Sequence, residues 1–197
     1  MKFFKGAKEY LSAIRYYIIF SALIFFFAAY FGYTLIENSP EQAKNILEEF
    51  RKISEPIKNI APLELFLFIF LKNSVAVLIA ILFGAVLGLA PFFAVFANGI
   101  ILGVFAYAFL QKFSLPIFLA GILPHGVIEI PVLFFAAASG FRLWRAAFRR
   151  IVFNEKKFSQ EFSRAMNFFF NTLLPLLLIA AFIETFVTSR FLALLSR

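Results

Sequence analysis

The chain places its only histidine and a glutamate within one apolar stretch, and these two residues are the first candidates for chemistry. His125 and Glu129 are four residues apart, in the sequence GILPHGVIEIPVLFFAAASG. That spacing puts two side chains on one face of a helix. Imidazole and carboxyl groups exchange protons, so the pair predicts a proton relay or a contact with a polar ligand. The alternative is a structural role, in which the two residues form hydrogen bonds with neighbouring helices. This is the commoner role of buried polar residues in membrane helices.

Two further polar residues are candidate partners of this pair. Asn98 lies within an apolar run and Glu184 lies near the end of the last one. A buried amide or carboxylate needs a hydrogen bond, so we expect one of the two to contact His125 or Glu129 from another helix. Pro124 and Gly126 flank the histidine, and broken helices in membranes tend to line cavities. The chain has no HExxH, GxSxG or glycine-rich phosphate loop, and no catalytic residue is assigned.

The composition identifies the bilayer as the solvent for most of the surface. Hydrophobic residues make up 62% of the 197 residues, and 32 residues are phenylalanine. Too few polar residues remain to cover a soluble globule. With no cysteine and one histidine, neither a disulfide nor a zinc site is expected, and we predict no metal and no cofactor.

The apolar runs predict an all-α transmembrane bundle of about five spans, forming a single domain over residues 1–197. Pro91 is expected to separate the second span from the third, and Pro124 and Pro131 to kink or break the fourth. Residues 63–71 are predicted to form a short entry helix that spans, re-enters or lies at the interface. The spans are predicted at Tyr16–Ile36, 74–90, 92–111, 115–140 and Asn167–Val187.

Two segments between spans have an amphipathic character. Residues 37–62 carry apolar residues at helical spacing and are predicted to form a loop helix on the membrane surface or on a partner. Residues 141–164 alternate basic and aromatic residues, which is typical of a helix lying in the headgroup layer. Membrane spans on both sides argue against nucleic acid as its ligand. The basic residues that we assign to the membrane surface are Arg142, Arg145, Arg149, Arg150, Lys156 and Lys157.

The distribution of positive charge predicts the orientation. Five spans put residues 1–15 and 141–164 on one side, and these segments hold eleven of the 19 lysines and arginines but only three acidic residues. Positive residues accumulate on the cytoplasmic side of membrane proteins. We therefore expect a multi-pass protein of the cell membrane with a cytoplasmic N-terminus, an external C-terminus and an external 37–62 loop.

Small residues are candidates for close helix packing. Gly84 and Gly88 form one GxxxG pair, and Gly99 and Gly103 form another. Such pairs permit the backbones of two helices to approach closely. With Gly126 and Gly140 they predict tightly packed helices, and they motivate the expectation of a homo-oligomer, most simply a dimer.

Several of these motifs together resemble the stage II sporulation protein M family. The resembling residues are Asn98-Gly99 with Gly103, then Leu123 to Glu129 (LPHGVIE), then Ala136 to Gly140, then Ala180 to Thr188 (AAFIETFVT). The resemblance covers roughly residues 70–190, and its most specific part is the PHGxxE stretch. It implies a five-span integral membrane protein without established catalysis. In sporulating bacteria the namesake works during engulfment as a membrane scaffold for cell-wall hydrolases.

The preferred functional hypothesis is therefore a non-enzymatic scaffold or assembly factor for membrane or envelope protein partners. The alternative is a small-molecule or ion transporter, with His125 and Glu129 lining a cavity at the midplane of the membrane. An intramembrane enzyme is the third hypothesis. A sealed bundle around the pair favours the first, and a cavity open to one face favours the others.

Overall fold

The computed structural model describes residues 2–39, 60–111 and 114–188, and between them the single positions Glu41, Asn45, Glu48 and Lys52. These parts contain no strand and five helices that are long and apolar enough to cross a membrane, which confirms the predicted all-α bundle. Two π-helical segments, Phe169–Leu173 and Glu184–Thr188, continue the last helices as one rod. The α-helices are α1 (Lys2–Glu37), α2 (Pro62–Leu82), α3 (Leu89–Leu110), α4 (Leu115–Phe153), α5 (Phe158–Phe168) and α6 (Leu174–Ile183).

The second span is one uninterrupted helix, so the predicted separation of 63–71 from 74–90 is wrong. Pro62 occupies the first turn of α2, where its missing N–H is not needed. The polar triplet Lys72-Asn73-Ser74, which suggested a boundary, contains neither proline nor glycine. Its backbone therefore continues the hydrogen-bond ladder. Residues 63–71 are part of the membrane-crossing helix Pro62–Ala85.

The turn between the second and third spans lies before Pro91 rather than at it. A short 3-10 helix covers Phe83–Ala85, and Gly88 then adopts φ 65°, a left-handed conformation that suits glycine. Because α3 begins at Leu89, Pro91 lies in its first turn and does not break it. Gly84 and Gly88 consequently lie in the turn region and do not form a face of one α-helix, which corrects the first GxxxG assignment.

The fourth helix passes through both of its prolines. α4 runs from Leu115 to Phe153 with Pro124 and Pro131 inside it, so it is not divided into half-helices. It also includes the first half of the predicted basic helix at 141–164. The chain turns at Asn154, whose φ is 54°, and α5 begins at Phe158. Asparagine tolerates this left-handed cap. The basic segment is thus a helical hairpin, and the prediction of one continuous surface helix is wrong.

Helix α4 is the centre of the bundle and packs against α1, α2, α3 and α6. Its small-residue run is completely buried, with Ala136, Ala137, Ala138 and Ser139 each 0% exposed. Small side chains let several neighbours approach one helix at the same level. This small-residue run is therefore the point where several spans converge on α4.

Glycines on α3 let it pack directly on the backbone of α1. A Cβ atom at Gly99 would overlap the carbonyl oxygen of Phe25, and one at Gly103 would overlap the carbonyl oxygen of Ala29. Both contacts have the same offset along the chain, 74 residues, which is the signature of two parallel helices in register. α1 and α3 are separated by one span in the sequence, so they cross the membrane in the same direction.

The other glycine contacts also lie within this chain. Gly84 meets the backbone of Gly140, which joins the end of α2 to α4. Among the described residues, a Cβ atom at Gly126 would meet Ile122 and Ile130 of its own helix, and the packing role of Gly126 between helices stays a prediction. Homodimerisation stays a prediction, and it would need a surface other than these glycine contacts.

The predicted amphipathic loop at 37–62 lies mostly outside the described residues, including its apolar stripe. The four single positions described within it are polar residues with exposed side chains. Arg190 and Arg197 are likewise outside the described part of the chain.

Gly103→Ala should destabilise the bundle, because the new methyl group must push α1 and α3 apart. Overpacking of this kind costs about 1–3 kcal/mol. Gly6→Ala is the matched control, since a Cβ atom there has nothing within 4 Å. Thermal unfolding of both variants in the same detergent checks this. A midpoint for Gly103→Ala equal to that of the control would contradict the close packing of α1 and α3.

Candidate functional site

An amide and a carboxylate from two different spans meet inside the bundle. The Asn73 side-chain nitrogen on α2 donates a hydrogen bond of 2.7 Å to Oε1 of Glu129 on α4. Both side chains are half-buried. Asn73 is the twelfth residue of the 24-residue helix Pro62–Ala85, and Glu129 is the fourth residue of the 28-residue helix Gly126–Phe153, so both lie within helices that are long and apolar enough to cross a membrane. A hydrogen bond inside the bundle lowers the cost of holding a polar group away from water.

Helical periodicity brings these two side chains together. On α2, Asn73 shares its face with the buried residues Val77, Ala80 and Ile81. On α4, Glu129 shares its face with Val132 and Ala136, both 0% exposed. The polar pair is therefore one contact in an otherwise apolar interface.

The same interface fixes the register of α2 on α4. Asn73 and Glu129 are 56 residues apart in sequence, and the touching glycines Gly84 and Gly140 have the same separation. Equal offsets at two levels require two parallel helices aligned over about 16 Å at 1.5 Å per residue. The hydrogen bond at one level and the glycine contact at the other thus define a single alignment.

A second carboxylate approaches from the last rod. Lys72 and Glu184 are the charged side chains that act electrostatically on Glu129. Glu184 begins the second π-helical segment, and the ring of Phe186 in that segment lies 6.3 Å from the ring of Phe66 on α2. The second π-helical segment of the last rod therefore lies close to α2. The site is built from three spans and contains charges of both signs.

Of the two predicted partners, Asn98 and Glu184, the structure places only Glu184 near Glu129. Asn98 is exposed, and its amide donates to the carbonyl oxygen of Ala94 on its own helix at 2.8 Å. The expectation that Asn98 contacts Glu129 is therefore wrong, while Glu184 is brought near it. The main chain of His125 lies in α4 four residues before Glu129, but its side chain is outside the described part of the structure. The predicted interaction of His125 stays a prediction.

Asn73 is the residue that sequence reasoning missed. The signal was present, because Lys72-Asn73-Ser74 is a polar triplet in the middle of a long apolar run. It was interpreted as a boundary between helices rather than as the polar face of one helix. Among the described side chains, no group of three or more histidine, cysteine, aspartate or glutamate residues is placed to hold a metal ion.

A second polar cluster ties three helices together near the N-terminal end of the bundle. Arg142 on α4 donates to both carboxylate oxygens of Glu161 on α5, at 2.5 and 2.9 Å. Its Nη1 also donates to the carbonyl oxygen of Ala13 on α1 at 2.7 Å. Bidentate pairs of this type are the strong, geometrically specific ones. Arg142, predicted at the membrane surface, is instead a half-buried tie between α1, α4 and α5.

The remaining basic residues of the hairpin have separate contacts. Arg149 pairs with Glu155 at 3.3 Å, and the guanidinium of Arg150 lies over the Phe158 ring at 5.9 Å. Arg145 donates to the hydroxyl of Tyr17 at the long distance of 3.5 Å. Lys156 and Lys157 are exposed in the turn. These five residues remain candidates for contact with the membrane surface.

One larger cleft lies at the same end of the bundle. It has a volume of about 360 Å³ and opens between the first turns of α1 and the rod formed by α5 and the π-helical segment Phe169–Leu173. Polar residues line it on both sides, among them Glu9, Arg164 and Asn171. Its lining does not include the Asn73–Glu129 pair.

The Asn73–Glu129 hydrogen bond should appear as an energetic coupling between the two positions. Asn73→Leu and Glu129→Leu each leave one polar partner unsatisfied in the bundle, whereas the double variant leaves neither. Interhelical hydrogen bonds in membranes contribute about 0.6 kcal/mol on average and up to about 1.7 kcal/mol. We expect the double variant to lose less stability than the sum of the single variants by an amount in this range.

Asn98→Leu is the matched control for that cycle, since Asn98 is also an asparagine on a membrane-crossing helix but bonds only its own helix. The measurement is equilibrium unfolding in mixed micelles for each single and double variant. Additive losses for Asn73 with Glu129, or equal coupling for Asn98 with Glu129, would contradict the interhelical contact.

Comparison with known proteins gives one match. No curated protein and no solved structure matches the chain. The model of the family described as stage II sporulation protein M matches residues 21–189. This range includes Asn73, Glu129, Arg142, Glu161 and Glu184, and thus both polar clusters. The match extends over most of the chain, and the protein is a member of the stage II sporulation protein M family.

Proposed function

We propose that this integral membrane protein is a non-enzymatic scaffold or assembly factor for complexes of the membrane or envelope. The observation that carries the proposal is the Asn73–Glu129 hydrogen bond, in which the carboxylate inside the bundle is already held by another span of the same chain. A carboxylate that fixes the register of α2 on α4 has a structural role. The Arg142–Glu161 pair supports the same conclusion at the other end of the bundle.

The partner surfaces of such a scaffold are the segments at the two ends of the bundle. The α4–α5 hairpin is one, since Ile151 and Phe153 near its tip are 83% and 64% exposed. The 37–62 segment is the other. With the topology proposed below, these two segments lie on opposite sides of the membrane, where an assembly factor for an envelope complex would contact its partners.

The competing proposal is a small-molecule or ion transporter, and one observation favours it. Glu184 acts electrostatically on Glu129, and two carboxylates near one another in a low-dielectric site bind a proton or a cation more readily than one does. Transport additionally requires a water-filled route to this site from each side of the membrane.

One pair of measurements on the full chain separates these proposals. Tagged protein purified from native membranes in mild detergent should carry a stoichiometric membrane or envelope protein. Reconstituted vesicles should show no proton or cation flux above protein-free vesicles. Glu129→Gln is the informative variant, because the amide oxygen still accepts the Asn73 hydrogen bond while the charge is gone. It should retain the partner. Flux that disappears in Glu129→Gln would establish transport instead.

We also propose that the N-terminus and the α4–α5 hairpin lie in the cytoplasm, since that side carries the excess of lysine and arginine. Single cysteines in this cysteine-free chain test the orientation. A membrane-impermeant maleimide should label Ser39→Cys and Ser114→Cys in intact cells, and Ser159→Cys only after permeabilisation. Labelling of the hairpin from outside would reverse the topology.

A further inference from the structure

The α4–α5 hairpin contains a concave, positively charged pocket. It has a volume of about 210 Å³ and lies where the end of α4, the turn and the start of α5 enclose a space. We call it the hairpin pocket. It is lined by Arg142, Arg145, Ala146, Arg149, Glu155, Lys157 and Glu161.

The carboxylates of the hairpin pocket neutralise only half of its cations. Glu161 is bound by Arg142 and Glu155 by Arg149. Arg145 and Lys157 form no ion pair with any described carboxylate. The lining therefore has two cations in excess, and it offers guanidinium and ammonium donors to an anion. Guanidinium groups match the geometry of phosphate oxygens, and a lysine adds a compact point charge.

The surroundings of the hairpin pocket are apolar. On the same helix, Trp144, Phe148 and Ile151 are 39%, 50% and 83% exposed. Trp144 has the amphipathic ring that prefers the headgroup layer. The pocket lies where one membrane-crossing helix ends and the next begins. A ligand for this place has an anionic head and an apolar body. Basic pockets between helices at the cytoplasmic face bind the head groups of anionic lipids.

We propose that the hairpin pocket binds the phosphate-bearing head group of an anionic phospholipid. Arg145 and Lys157 contact the phosphate oxygens, and the exposed aromatic and aliphatic side chains of α4 contact the acyl chains. The volume of about 210 Å³ leaves space for a head group beside these side chains. This assignment does not depend on the scaffold role.

Thermal stability of the purified full chain in neutral detergent tests the assignment. Dioctanoyl phosphatidylglycerol should raise the unfolding midpoint in a saturable manner, since a ligand that binds the folded state stabilises it. Dioctanoyl phosphatidylcholine should not. Arg145→Gln with Lys157→Gln should weaken the apparent affinity for phosphatidylglycerol at least tenfold, because each cation near an anionic lipid contributes about fivefold.

Arg150→Gln with Lys156→Gln is the matched control, because it removes the same charge from the same hairpin without touching the pocket lining. It should change the affinity less than twofold. Equal losses in both double variants would show diffuse attraction and overturn the pocket. An equal midpoint shift with inorganic phosphate would indicate a soluble anion instead of a lipid. If the Gln variant does not fold, Arg145→Lys with Lys157→Arg should retain binding, and a complete loss there would also overturn the proposal.

Discussion

Close approach of helix backbones at small residues is the constraint on which this bundle depends. In a bilayer there is no hydrophobic driving force for apolar side chains to leave lipid, so helices associate through van der Waals contact and a few hydrogen bonds. Gly99 and Gly103 bring α3 onto the carbonyl groups of α1, and Gly84 brings α2 onto Gly140. Larger residues at these positions would separate the helices and remove most of those contacts at once. The buried alanines of α4 extend the same principle to the centre of the bundle.

Polar contacts then select one arrangement among those that small residues permit. Flat glycine and alanine surfaces can slide past each other with little cost. A hydrogen bond between Asn73 and Glu129 fixes the level of α2 on α4, and the Arg142–Glu161 pair fixes the α4–α5 hairpin against α1. Each tie is directional, so it favours one register over the neighbouring ones. The structure thus combines close packing at small residues with two directional contacts, which lie 13 residues apart on α4.

Much of the fold could be predicted from the sequence, because hydrophobic length and proline or glycine punctuation are local properties. The five spans followed from these, whereas the family followed from motifs that resemble it, above all the PHGxxE stretch. The errors had local causes as well. Lys72-Asn73-Ser74 looked like a helix boundary. The hydrogen bond from Asn73 to Glu129, which lets this polar side chain lie inside the bundle, is a long-range contact that no local pattern contains. Pro91 looked like a turn, although a proline is equally suited to the first turn of a helix.

The candidate site was harder to predict than the fold for the same reason. Its members come from three spans, and the choice between Asn73 and Asn98 depends on which faces of α2 and α3 are turned toward α4. Both are asparagines within apolar runs, and although Asn73 lies in the polar triplet Lys72-Asn73-Ser74, this local pattern does not tell which face of α2 packs on α4. Glu184 begins the second π-helical segment, which the 3.6-residue periodicity of an α-helix does not predict.

The parallel pairing of alternate spans has a consequence for how the protein is made. α1 can form its close packing only after α3 has been synthesised, and α2 only after α4, because neither helix has its close-packing partner next to it in the chain. During that interval the small-residue faces of α1 and the amide of Asn73 are open to lipid and to the insertion machinery. Biogenesis is therefore coupled to the order of translation, and the newly inserted first two helices form no stable unit until the chain is more than half complete.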